Sequence, residues 1–423
     1  MVHPTVTKSN SLSIVYLLQN PSILFENAGP RTHVSHSVAG LQQAGHQVTI
    51  LGLRGRKVLC AKSIDDIKYS NSFGLSSTWP FQVVESGVRR GQTELNLPYL
   101  GLFDSFRFYE VCCKKVGKVD LFHERHALLN IGGALAAKRL GIPLVLEVNA
   151  DLFFEYEFRG YPLRGVQKTM ASWMTRFAYR SASAIVCVSE IVRRDLEVRW
   201  GISPERVFVL PNAADVKKFA VNGDSMRIRR ELGLNDDLLV VFVGSFHSWH
   251  DLDLLVDSFA YIVRLGLGAK LVLVGDGSNR SRIGERIGNL GIRESVIFTG
   301  SVEPRRIPAI LAACDVAVAP YPPVSEGFWG SPMKIFEYMA AGKAVVASSG
   351  GQISEIIQHG YSGLLVDPGD VNGFAQAIIR LLKDSAERKR LGQNARRQAL
   401  KRHSREKYIM RLEKIYAKAL RLF

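Results

Sequence analysis

The sequence predicts an α/β protein built from two doubly wound domains that face each other across a cleft. Short apolar runs with the β-branched character of buried strands alternate with helical periods along the chain, which is typical of parallel sheets flanked by helices. The alternation restarts at Leu238 after a polar, irregular stretch over residues 212–237. A length of 423 residues also exceeds what one ordinary core accommodates. We therefore expect a junction between two domains within that stretch.

The short apolar runs are the predicted strands of the two sheets. In order along the chain they are residues 13–18, 47–52, 119–122, 144–148, 184–188, 207–210, 238–244, 270–275, 296–300, 316–321, 344–347 and 364–366. Residues 386–423 are basic and rich in Ala, Leu, Arg and Lys, and they predict a long helix. The expected organisation is an N-terminal domain over residues 1–215, a C-terminal domain over residues 216–400 and a terminal helix over residues 401–423.

The composition is that of a globular protein with a strong excess of positive charge. Hydrophobic residues make up 47% of the chain and charged residues 22%, and the formal net charge is +16. This charge calls for an acidic partner, and nucleic acid, anionic lipid and a phosphorylated substrate all have the right sign. Residues 164–180 combine basic side chains with Trp173 and Tyr179, and such a helix face can lie on anionic headgroups. An anionic membrane surface is thus an expected partner, although a solvated helix face explains any single segment equally well.

The cysteines and the N-terminal residues favour a cytoplasmic location. Five cysteines are scattered and mostly set in apolar runs, which is typical of reduced structural thiols: Cys60, Cys112, Cys113, Cys187 and Cys314. Residues 12–18 lead into polar residues without a small-residue cleavage site, so they predict a strand rather than a signal peptide. No apolar run approaches the length that spans a bilayer. The expected protein is cytoplasmic, with peripheral attachment to the inner face of the membrane.

The most informative segment is residues 331–348, which predicts a capped helix, a glycine stop and a buried strand. Ser331 suits the N-cap and Pro332 the first helical position. Unpaired amides and the helix dipole make such a start a seat for phosphate. Lys334 and Glu337 share nearly one face, where a cation and a carboxylate suit a diphosphate and the hydroxyls of a ribose. The same residues also fit an ordinary amphipathic helix with a surface lysine and glutamate.

Several predicted strands end in glycine, at the edge where doubly wound sheets bind their ligands. The strand over residues 238–244 ends at Gly244, the strand over residues 270–275 runs into Gly277, and Gly29 follows the first strand of the N-terminal domain. Glycines at corresponding places in both domains predict a cleft that is lined from both sides.

Together these motifs resemble the family 4 (group 1) retaining glycosyltransferases of the GT-B type, in a variant with the pattern S-P-x-K-x-x-E-Y-M-A. The resemblance covers nearly the whole chain and rests on the order and spacing of its segments. They are Gly29-Pro-Arg-Thr-His33, Ala44-Gly-His-Gln-Val48, Val188-Ser-Glu190, Val209-Leu-Pro-Asn-Ala213, Val243-Gly244 with Trp249-His250, Leu273-Val-Gly-Asp-Gly277, Phe298-Thr-Gly-Ser-Val302 and Glu337-Tyr-Met-Ala-Ala-Gly-Lys-Ala-Val-Val346. The resemblance implies two Rossmann-like domains, a terminal helix that packs back on the N-terminal domain, and transfer of a sugar from a nucleotide sugar with retention.

The resemblance also implies residue roles in the C-terminal domain, which would hold the donor. Glu337 matches the glutamate that binds the ribose hydroxyls, the backbone around Val302 matches the contact to the base, and Gly244 matches the glycine of the diphosphate loop. Lys334 is a catalytic candidate, because a cation stabilises the charge that develops on the departing diphosphate. Further donor-binding candidates are Gly29, His250, Gly277 and Ser331. Neither a metal nor another cofactor is expected.

Two departures from the family pattern leave parts of the donor site open. The pattern E-x7-E would place its first glutamate at position 329, which here is a tryptophan, and Glu326 lies three residues earlier. The arginine and lysine expected after the diphosphate glycine are replaced by His247, Trp249 and His250. The diphosphate charge then has to be met by Lys334, by helix amides or by these histidines, and a position at a helix start explains His250 equally well.

The N-terminal domain offers candidates for the acceptor side. His126 is a catalytic candidate, since the family has a histidine near the end of that strand, close to the donor sugar and the acceptor. Glu147 and Asn149 are expected to bind acceptor hydroxyls, although loop polarity explains them equally well. The spacing H-x-x-H occurs twice without a third defined ligand, and Asp251-Leu-Asp253 reads as a helix cap, so no metal site is predicted.

Three classes of function fit these observations. The first is a transferase that moves a sugar from a nucleotide sugar to a saccharide or lipid-linked acceptor, in surface polysaccharide or glycoconjugate biosynthesis. A nucleotide-sugar epimerase or a phosphorylase of similar fold is the alternative. A nucleic-acid-binding protein rests on charge alone and has no recognised binding module here, so nucleic acid is not an expected partner. The base, the sugar, the acceptor and the linkage stay open.

Overall fold

The computed structural model describes residues 11–25, 29–72, 74–95, 97–220, 225–234, 236–324 and 330–423. These residues form two α/β domains, each with a sheet between layers of helices. The strands of the first sheet are β1 Ser13–Leu18, β2 Gln47–Arg54, β3 Lys57–Ala61, β4 Lys68–Asn71, β5 Leu121–Arg125, β6 Leu144–Val148, β7 Ala184–Cys187 and β8 Val207–Val209. The helices of this domain are α1 Gly29–Gln43, α2 Trp79–Glu94, α3 Leu102–Lys115, α4 Gly132–Leu140, α5 Leu152–Phe158, α6 Gly165–Ser181 and α7 Glu190–Val198.

The first sheet has the strand order β4-β3-β2-β1-β5-β6-β7-β8, with β1 paired in parallel to both β2 and β5. Its core strands are apolar and buried, and all five residues of β6 are buried. Two strands were not predicted: β3 and β4 extend the sheet at one edge by antiparallel pairing. All four residues of β4 are exposed, so this edge strand carries no apolar alternation that a sequence pattern reveals.

The second sheet is entirely parallel and has the strand order β11-β10-β9-β12-β13-β14. Its strands are β9 Leu238–Val243, β10 Ala269–Val274, β11 Val296–Gly300, β12 Val316–Ala319, β13 Ala344–Ser348 and β14 Leu364–Val366. Its helices are α8 Ser225–Glu231, α9 Leu252–Arg264, α10 Arg280–Asn289, α11 Ile307–Ala313, α12 Met333–Ala340, α13 Gly351–Ile356, α14 Val371–Lys383 and α15 Ser385–Arg402. The carboxyl ends of these strands meet at one edge, and that edge positions the site described below.

The single terminal helix predicted over residues 386–423 is two helices, α15 and α16 Arg405–Leu422. The break falls at Ser404, whose hydroxyl accepts a hydrogen bond from the amide of Lys407 and so starts a new helix. Helix α15 packs on the C-terminal domain, whereas α16 returns to the N-terminal domain and buries Leu412 and Tyr416 in its core. The expected return of the terminal helix is therefore confirmed.

The strand predicted over residues 119–122 lies further along the chain, as β5. Its register continues through His123 and Glu124, which are both fully buried. The sequence prediction stopped at these residues because a histidine and a glutamate usually mark a loop. Here both are held inside the fold by specific partners.

Candidate active site

A cavity of about 980 Å³ lies between the two domains, at the carboxyl ends of β9 and β10. The C-terminal domain lines it with the loops after β9 and β11 and with the start of α12. The N-terminal domain lines it with the start of α1 and with residues at the ends of β5 and β6. Eight of the eleven site residues predicted from the sequence reach this lining: Gly29, Asn149, Gly244, His250, Val302, Ser331, Lys334 and Glu337.

The start of helix α12 faces the opposite domain across this cavity, as predicted, but its first residues differ from the prediction. The helix begins at Met333 with Pro332 as the N-cap residue, and no side chain caps it. The prediction that Ser331 caps the helix is wrong. Its hydroxyl accepts a hydrogen bond from the backbone amide of Asn212, 3.1 Å away. Ser331 therefore joins the two domains instead of closing the helix end.

Two glycines, at the ends of β9 and β10, allow neighbouring atoms to approach the backbone closely. A β-carbon on Gly275 would lie 1.9 Å from the carbonyl oxygen of Gly244, at a φ of +133° that favours glycine. A β-carbon on Gly244 would lie 2.5 Å from Nζ of Lys334. The absence of side chains at these two positions brings the loop backbone and Lys334 together at the edge of the cavity.

Lys334 lies in an enclosure of aromatic rings rather than beside a carboxylate. Its Nζ atom is 4.0 Å from the ring centre of Phe242 and 5.7 Å from that of Tyr321. Only 7% of the residue is exposed, and burial lowers its pKa well below the ordinary lysine value. Lys334 lies in the first turn of α12, and it lines the cavity.

The polar partner of Lys334 is His250, whose Nε2 atom lies 2.9 Å from Nζ. The other ring nitrogen, Nδ1, lies 2.6 Å from the carbonyl oxygen of Ser245. Because a carbonyl oxygen only accepts, Nδ1 carries the hydrogen and Nε2 presents its lone pair to Lys334. Burial, followed by the nearby charge of Lys334, lowers the pKa of His250 well below its usual range. His250 is therefore a neutral acceptor in this structure.

Glu337 lies one turn beyond Lys334 on the cavity face of α12. Burial raises its pKa to about 7, against the smaller opposing effects of Lys334 and Lys218. A carboxyl group with a pKa near 7 is partly ionised at neutral pH, and in a cavity its oxygens can accept hydrogen bonds from a pair of hydroxyls. The neighbouring end of the cavity is formed by an apolar shelf with one arginine: Ser301, Val302, Pro304, Arg305, Ile307 and Pro308.

The N-terminal wall of the cavity comes close to α12. A β-carbon on Gly29 would lie 3.6 Å from Cγ of Met333, so the start of α1 and the start of α12 almost touch. The polar groups of this wall include His33, His36 and Arg125. Burial lowers the pKa of His36 to about 4, so the permanent charge of the three is that of Arg125. Carboxylates among the described lining residues come from the C-terminal domain alone.

Glu147 lies behind this wall and not in it, contrary to its predicted place among acceptor-binding residues. It is 1% exposed and is surrounded by hydrogen-bond donors. Although burial acts in the opposite direction, these partners hold its pKa well below the usual range. The hydrogen-bond partners are Tyr16 at 2.7 Å, His123 at 3.0 Å, Arg125 at 2.7 Å and the side-chain amide of Asn149. Nε2 of His33 lies 3.1 Å from Oε1 of Glu147. Glu147 therefore orients two lining side chains, His33 and Arg125.

His126 and Gly277 also lie outside the lining. The imidazole of His126 is packed against the ring of Tyr179, 5.0 Å between centres, and burial lowers its pKa to about 4. Gly277 packs on the backbone of Phe246, where a β-carbon would lie 2.7 Å from the amide nitrogen. Both residues support the loops that shape the cavity. Trp329, at the first position of the glutamate pattern, and Glu326, three residues earlier, lie outside the described residues.

Several lining residues were not predicted as site residues. Asn212, within the quoted Val209-Leu-Pro-Asn-Ala213 segment, donates from Nδ2 to the carbonyl oxygen of Ser331 at 2.7 Å. Lys218 lies beyond it at the domain junction. The segment itself was the available signal, since a polar residue directly after a strand of a doubly wound domain lies at the ligand edge. Nothing in the sequence indicated the enclosing role of Phe242 and Tyr321.

The residues that superficially suggested a metal are engaged otherwise. The side chain of Asp251 accepts from the amide of Leu254 at 3.0 Å and caps α9, as predicted, while Asp253 pairs with Arg282 at 2.7 Å. His123 is bound between Glu147 and Tyr416 in the interior. Within the described ranges, no group of three potential ligands is arranged to hold a metal ion.

Comparison with known proteins agrees with this geometry. Residues 224–398 match the family model described as "Glycosyl transferases group 1", and residues 28–218 match "Glycosyltransferase Family 4". Among solved structures, the fold is similar to sucrose-phosphate synthase from Thermosynechococcus elongatus (TM-score 0.72, 19% identity, 97% of this chain and 100% of that chain). It is also similar to Anabaena HepE, solved with UDP and glucose (TM-score 0.67, 19% identity, 96% of this chain and 99% of that chain).

Curated relatives include an alpha-D-kanosaminyltransferase from Streptomyces kanamyceticus, 26% identical over 62% of this chain and 67% of the relative. Another is a D-inositol 3-phosphate glycosyltransferase from Acidothermus cellulolyticus, 30% identical over 64% of this chain and 61% of the relative. The chain thus spans about two thirds of the length of these relatives. Two facing α/β domains with a lined cleft define the GT-B fold. The chain belongs to the family 4, group 1 glycosyltransferases.

Proposed function

We propose that the cleft binds a nucleotide sugar and transfers its sugar, with retention, to a saccharide or lipid-linked acceptor held by the N-terminal domain. The observation that carries this proposal is the arrangement at α12, where Lys334, Glu337 and the open helix start face one cavity. In this arrangement the base lies on the shelf around Val302, the ribose hydroxyls bind Glu337, and the diphosphate lies against the start of α12 and the loop at Gly244.

The chemistry follows from where charge develops. As the bond between the sugar and the diphosphate breaks, negative charge grows on the departing oxygens and the glycosidic carbon becomes oxocarbenium-like. Amides at the helix start and in the loop at Gly244 are in place before the reaction, so they stabilise this charge without reorganisation. The acceptor attacks on the face that the diphosphate leaves, and a diphosphate oxygen takes the proton of the acceptor hydroxyl. Retention then needs no protein nucleophile.

The acceptor side supports an acceptor with anionic character. His33, His36 and Arg125 form this wall, and Glu147 behind it contacts His33 and Arg125. The ring nitrogen Nδ1 of His36 is buried and has no hydrogen-bond partner among the described residues. A phosphate or carboxylate on the acceptor would satisfy such a wall better than a neutral sugar does.

The surface of the N-terminal domain supports a membrane-held acceptor. Exposed side chains of α2, of α6 and of the loop between α2 and α3 form a surface that we call the membrane face. Its residues are Trp79, Val84, Val88, Leu95, Leu97, Tyr99, Val166, Trp173, Arg176 and Arg180. Trp79 is 77% exposed and Leu95 70%. The loop and α6 are joined by a hydrogen bond from Gln167 to the carbonyl oxygen of Tyr99, at 3.0 Å.

On α6, the membrane face combines apolar and cationic side chains along one side of the helix. On α6, Val166, Trp173, Arg176 and Arg180 follow each other at helical spacing along one side. Aromatic and aliphatic groups that enter the headgroup layer, flanked by arginines, suit the surface of an anionic bilayer. In the part of the chain that the structure describes, no helix combines the length and apolar character that crossing a bilayer requires. The proposed attachment is therefore peripheral.

Vesicle sedimentation tests this attachment. The chain should bind vesicles of phosphatidylglycerol and phosphatidylcholine more strongly than vesicles of phosphatidylcholine alone. Exchanging Trp79 and Trp173 for serine should release it, whereas the matched change of exposed Tyr261 on the C-terminal domain should not. Equal binding by all these variants would contradict the proposed membrane face.

The donor is tested with a panel of nucleotides. UDP, GDP and ADP, each alone and as the glucose conjugate, should be compared by thermal shift, since a ligand that binds the folded chain stabilises it by mass action. One base should raise the melting temperature, and Glu337→Ala should abolish that rise. Release of the nucleoside diphosphate only when an acceptor is present identifies a transferase. Steady release without acceptor, or conversion of the donor sugar, would favour an epimerase or a phosphorylase instead.

We also propose that the reaction needs no metal ion. The cation at the diphosphate is then Lys334, and the aspartates Asp251 and Asp253 are used by a helix cap and an ion pair. Turnover should be unchanged after treatment with EDTA. A loss of turnover that magnesium or manganese restores would contradict this proposal.

A further inference from the structure

The partners of Lys334 differ from those of an ordinary buried lysine. A buried ammonium usually has a carboxylate beside it, because desolvation otherwise disfavours the charged form. Here Nζ contacts two aromatic rings and the lone pair of one imidazole, His250. Glu337 acts on it only through space, from one turn further along α12. In the described part of the chain, the direct contacts of this amine are thus neutral groups.

The surroundings of His250 keep it neutral. Its Nδ1–H is committed to the carbonyl oxygen of Ser245, which leaves Nε2 as a fixed acceptor for Lys334. The other titratable groups that face the pair are Glu337 from α12, Tyr321 from the segment after β12, and His247 from the same loop as His250. His247 lowers the pKa of His250 further, so a second proton on the imidazole is disfavoured.

The same amine lines the cavity in which a diphosphate would lie. Without ligand, burial among neutral groups favours the uncharged amine, and the lowered pKa of Lys334 agrees with this. A diphosphate brings two or more negative charges into a partly desolvated space. Its arrival supplies the missing anionic partner and makes the ammonium the favoured form.

We propose that Lys334 takes up a proton from solvent when the donor diphosphate binds, and that His250 is the positioning residue that holds the amine for this step. This inference rests on the proposed donor site. The proton passes from a buffer acid or water to the free pair of Nζ, and no other bond forms or breaks. When the nucleoside diphosphate leaves, the proton returns to solvent. The site thus carries its full positive charge only while the ligand that needs it is bound.

Isothermal titration calorimetry measures this uptake directly. The nucleoside diphosphate that stabilises the chain in the panel, tested first as UDP, is titrated at about pH 8 in Tris and in HEPES, which differ in ionisation enthalpy. The slope of observed binding enthalpy against ionisation enthalpy gives the number of protons exchanged. We expect an uptake of roughly half to one proton per nucleotide, because a lysine with a lowered pKa regains the charged form. A slope of zero would overturn the inference.

Two variants identify the group that takes up the proton. Lys334→Arg keeps a permanent charge, so it should bind the nucleotide with no buffer dependence. Glu337→Gln removes the neighbouring carboxyl group, whose own pKa lies near 7, and should retain the uptake. Uptake that persists in Lys334→Arg, or disappears in Glu337→Gln, would assign the proton elsewhere and overturn the inference. If Lys334→Arg does not fold, the wild-type slope together with Glu337→Gln still decides.

The role of His250 is tested by the pH profile of turnover. His250→Leu removes the acceptor that stabilises the ammonium, so the alkaline limb of the kcat profile should move to lower pH. His250→Gln offers an amide oxygen in a similar place and should largely restore the limb. A merely structural role would lower kcat without moving the alkaline limb, and that result would overturn the positioning role.

The failure of this inference can be told apart from the failure of the proposed function. If none of the three nucleotides binds, the proposed function fails. If a nucleotide binds without proton uptake, only this inference fails.

Discussion

Asn212 and Ser331 join the two domains at the edge of the cavity by two hydrogen bonds. The backbone amide of Asn212 donates to the hydroxyl of Ser331 at 3.1 Å, and its side-chain amide donates to the carbonyl oxygen of Ser331 at 2.7 Å. Asn212 follows β8 of the N-terminal domain, and Ser331 lies just before α12. The start of the helix that faces the cavity is thus fixed by the opposite domain.

Asn212→Ala should loosen this junction. Loss of the side-chain bond leaves the carbonyl oxygen of Ser331 without that donor and should lower the free energy of unfolding by about 1 kcal/mol. Affinity for the nucleoside diphosphate should fall about tenfold, because α12 is then less well placed. Calorimetric titration measures the affinity and urea unfolding the stability. Ser354→Ala is the control, because it removes a side-chain hydrogen bond to the amide of Gly350 and Ser354 is not part of the cavity lining. Equal affinities of Asn212→Ala and wild type would contradict the role assigned to the junction.

Lys334→Ala should lower turnover by on the order of a hundredfold, because the cation that meets the leaving diphosphate is removed. The KM for the donor should change less than kcat, since the charge grows mainly in the transition state. Steady-state kinetics with the identified donor provide the measurement. Unchanged kcat would remove Lys334 from the mechanism.

Gly244→Ala tests the placement of that lysine without removing it. The new methyl group would lie 2.5 Å from Nζ of Lys334, and the flexible end of the lysine can move away. We expect turnover to fall nearly as far as in Lys334→Ala, and the melting temperature to fall as well, because a φ of +157° at this position favours glycine. Gly284→Ala, in α10 with nothing within 4 Å of its new methyl, is the matched control. It should keep full turnover and gain up to about 1 kcal/mol of stability.

The pKa of Glu337, raised to about 7, gives a pH dependence to donor binding. Below that pH the carboxyl group is protonated in the empty site, and a charged acceptor for the ribose hydroxyls is lost. Affinity for the nucleoside diphosphate should therefore rise as pH increases from about 6 to about 7. Towards pH 8 proton uptake by Lys334 opposes binding. Titrations of Glu337→Gln should be weaker and should lack the rise between about pH 6 and 7, and a wild-type curve without this rise would count against the ribose role.

Buried Glu124 predicts an unusual pH dependence of stability. Burial raises its pKa to about 8 in the folded chain, against a hydrogen bond from Gln19, whereas the unfolded value is about 4.3. The folded state therefore holds the proton more tightly, so this contribution is fully present below about pH 4 and is lost as pH rises through about 8. Glu124→Gln should match the wild type near pH 5 and exceed it near pH 8 by on the order of 1–2 kcal/mol. Urea unfolding at both pH values measures this, and parallel curves would contradict it.

The sequence predicted the fold where local pattern and environment agree. Strands β6, β11 and β14 have the predicted bounds, because each is a short and mostly apolar run, whether it lies inside its sheet, as β6 does, or at an edge, as β11 and β14 do. Prediction failed where the environment overrides the pattern. His123 and Glu124 continue β5 because partners that are distant in the chain bind their side chains. Tyr416 contacts His123, and Gln19 donates to one carboxyl oxygen of Glu124.

For the candidate site, the sequence predicted the positions of several residues but not the directions of all their side chains. Motif spacing placed Gly244, Lys334 and Glu337 at the cavity, because the ends of parallel strands and the following helices share one edge. Motif spacing does not fix the direction of a side chain. Glu147 lies in β6 and His126 directly follows the neighbouring strand β5, yet Glu147 points to a buried cluster and His126 packs on Tyr179.

The most direct test of the central claim is a crystal structure of the chain with the nucleoside diphosphate that stabilises it. The account predicts the diphosphate between the loop at Gly244 and the start of α12, within hydrogen-bond distance of Lys334, with the ribose hydroxyls on the carboxylate of Glu337. A nucleotide bound outside the cleft, or one in the cleft with its diphosphate directed away from α12, would contradict it.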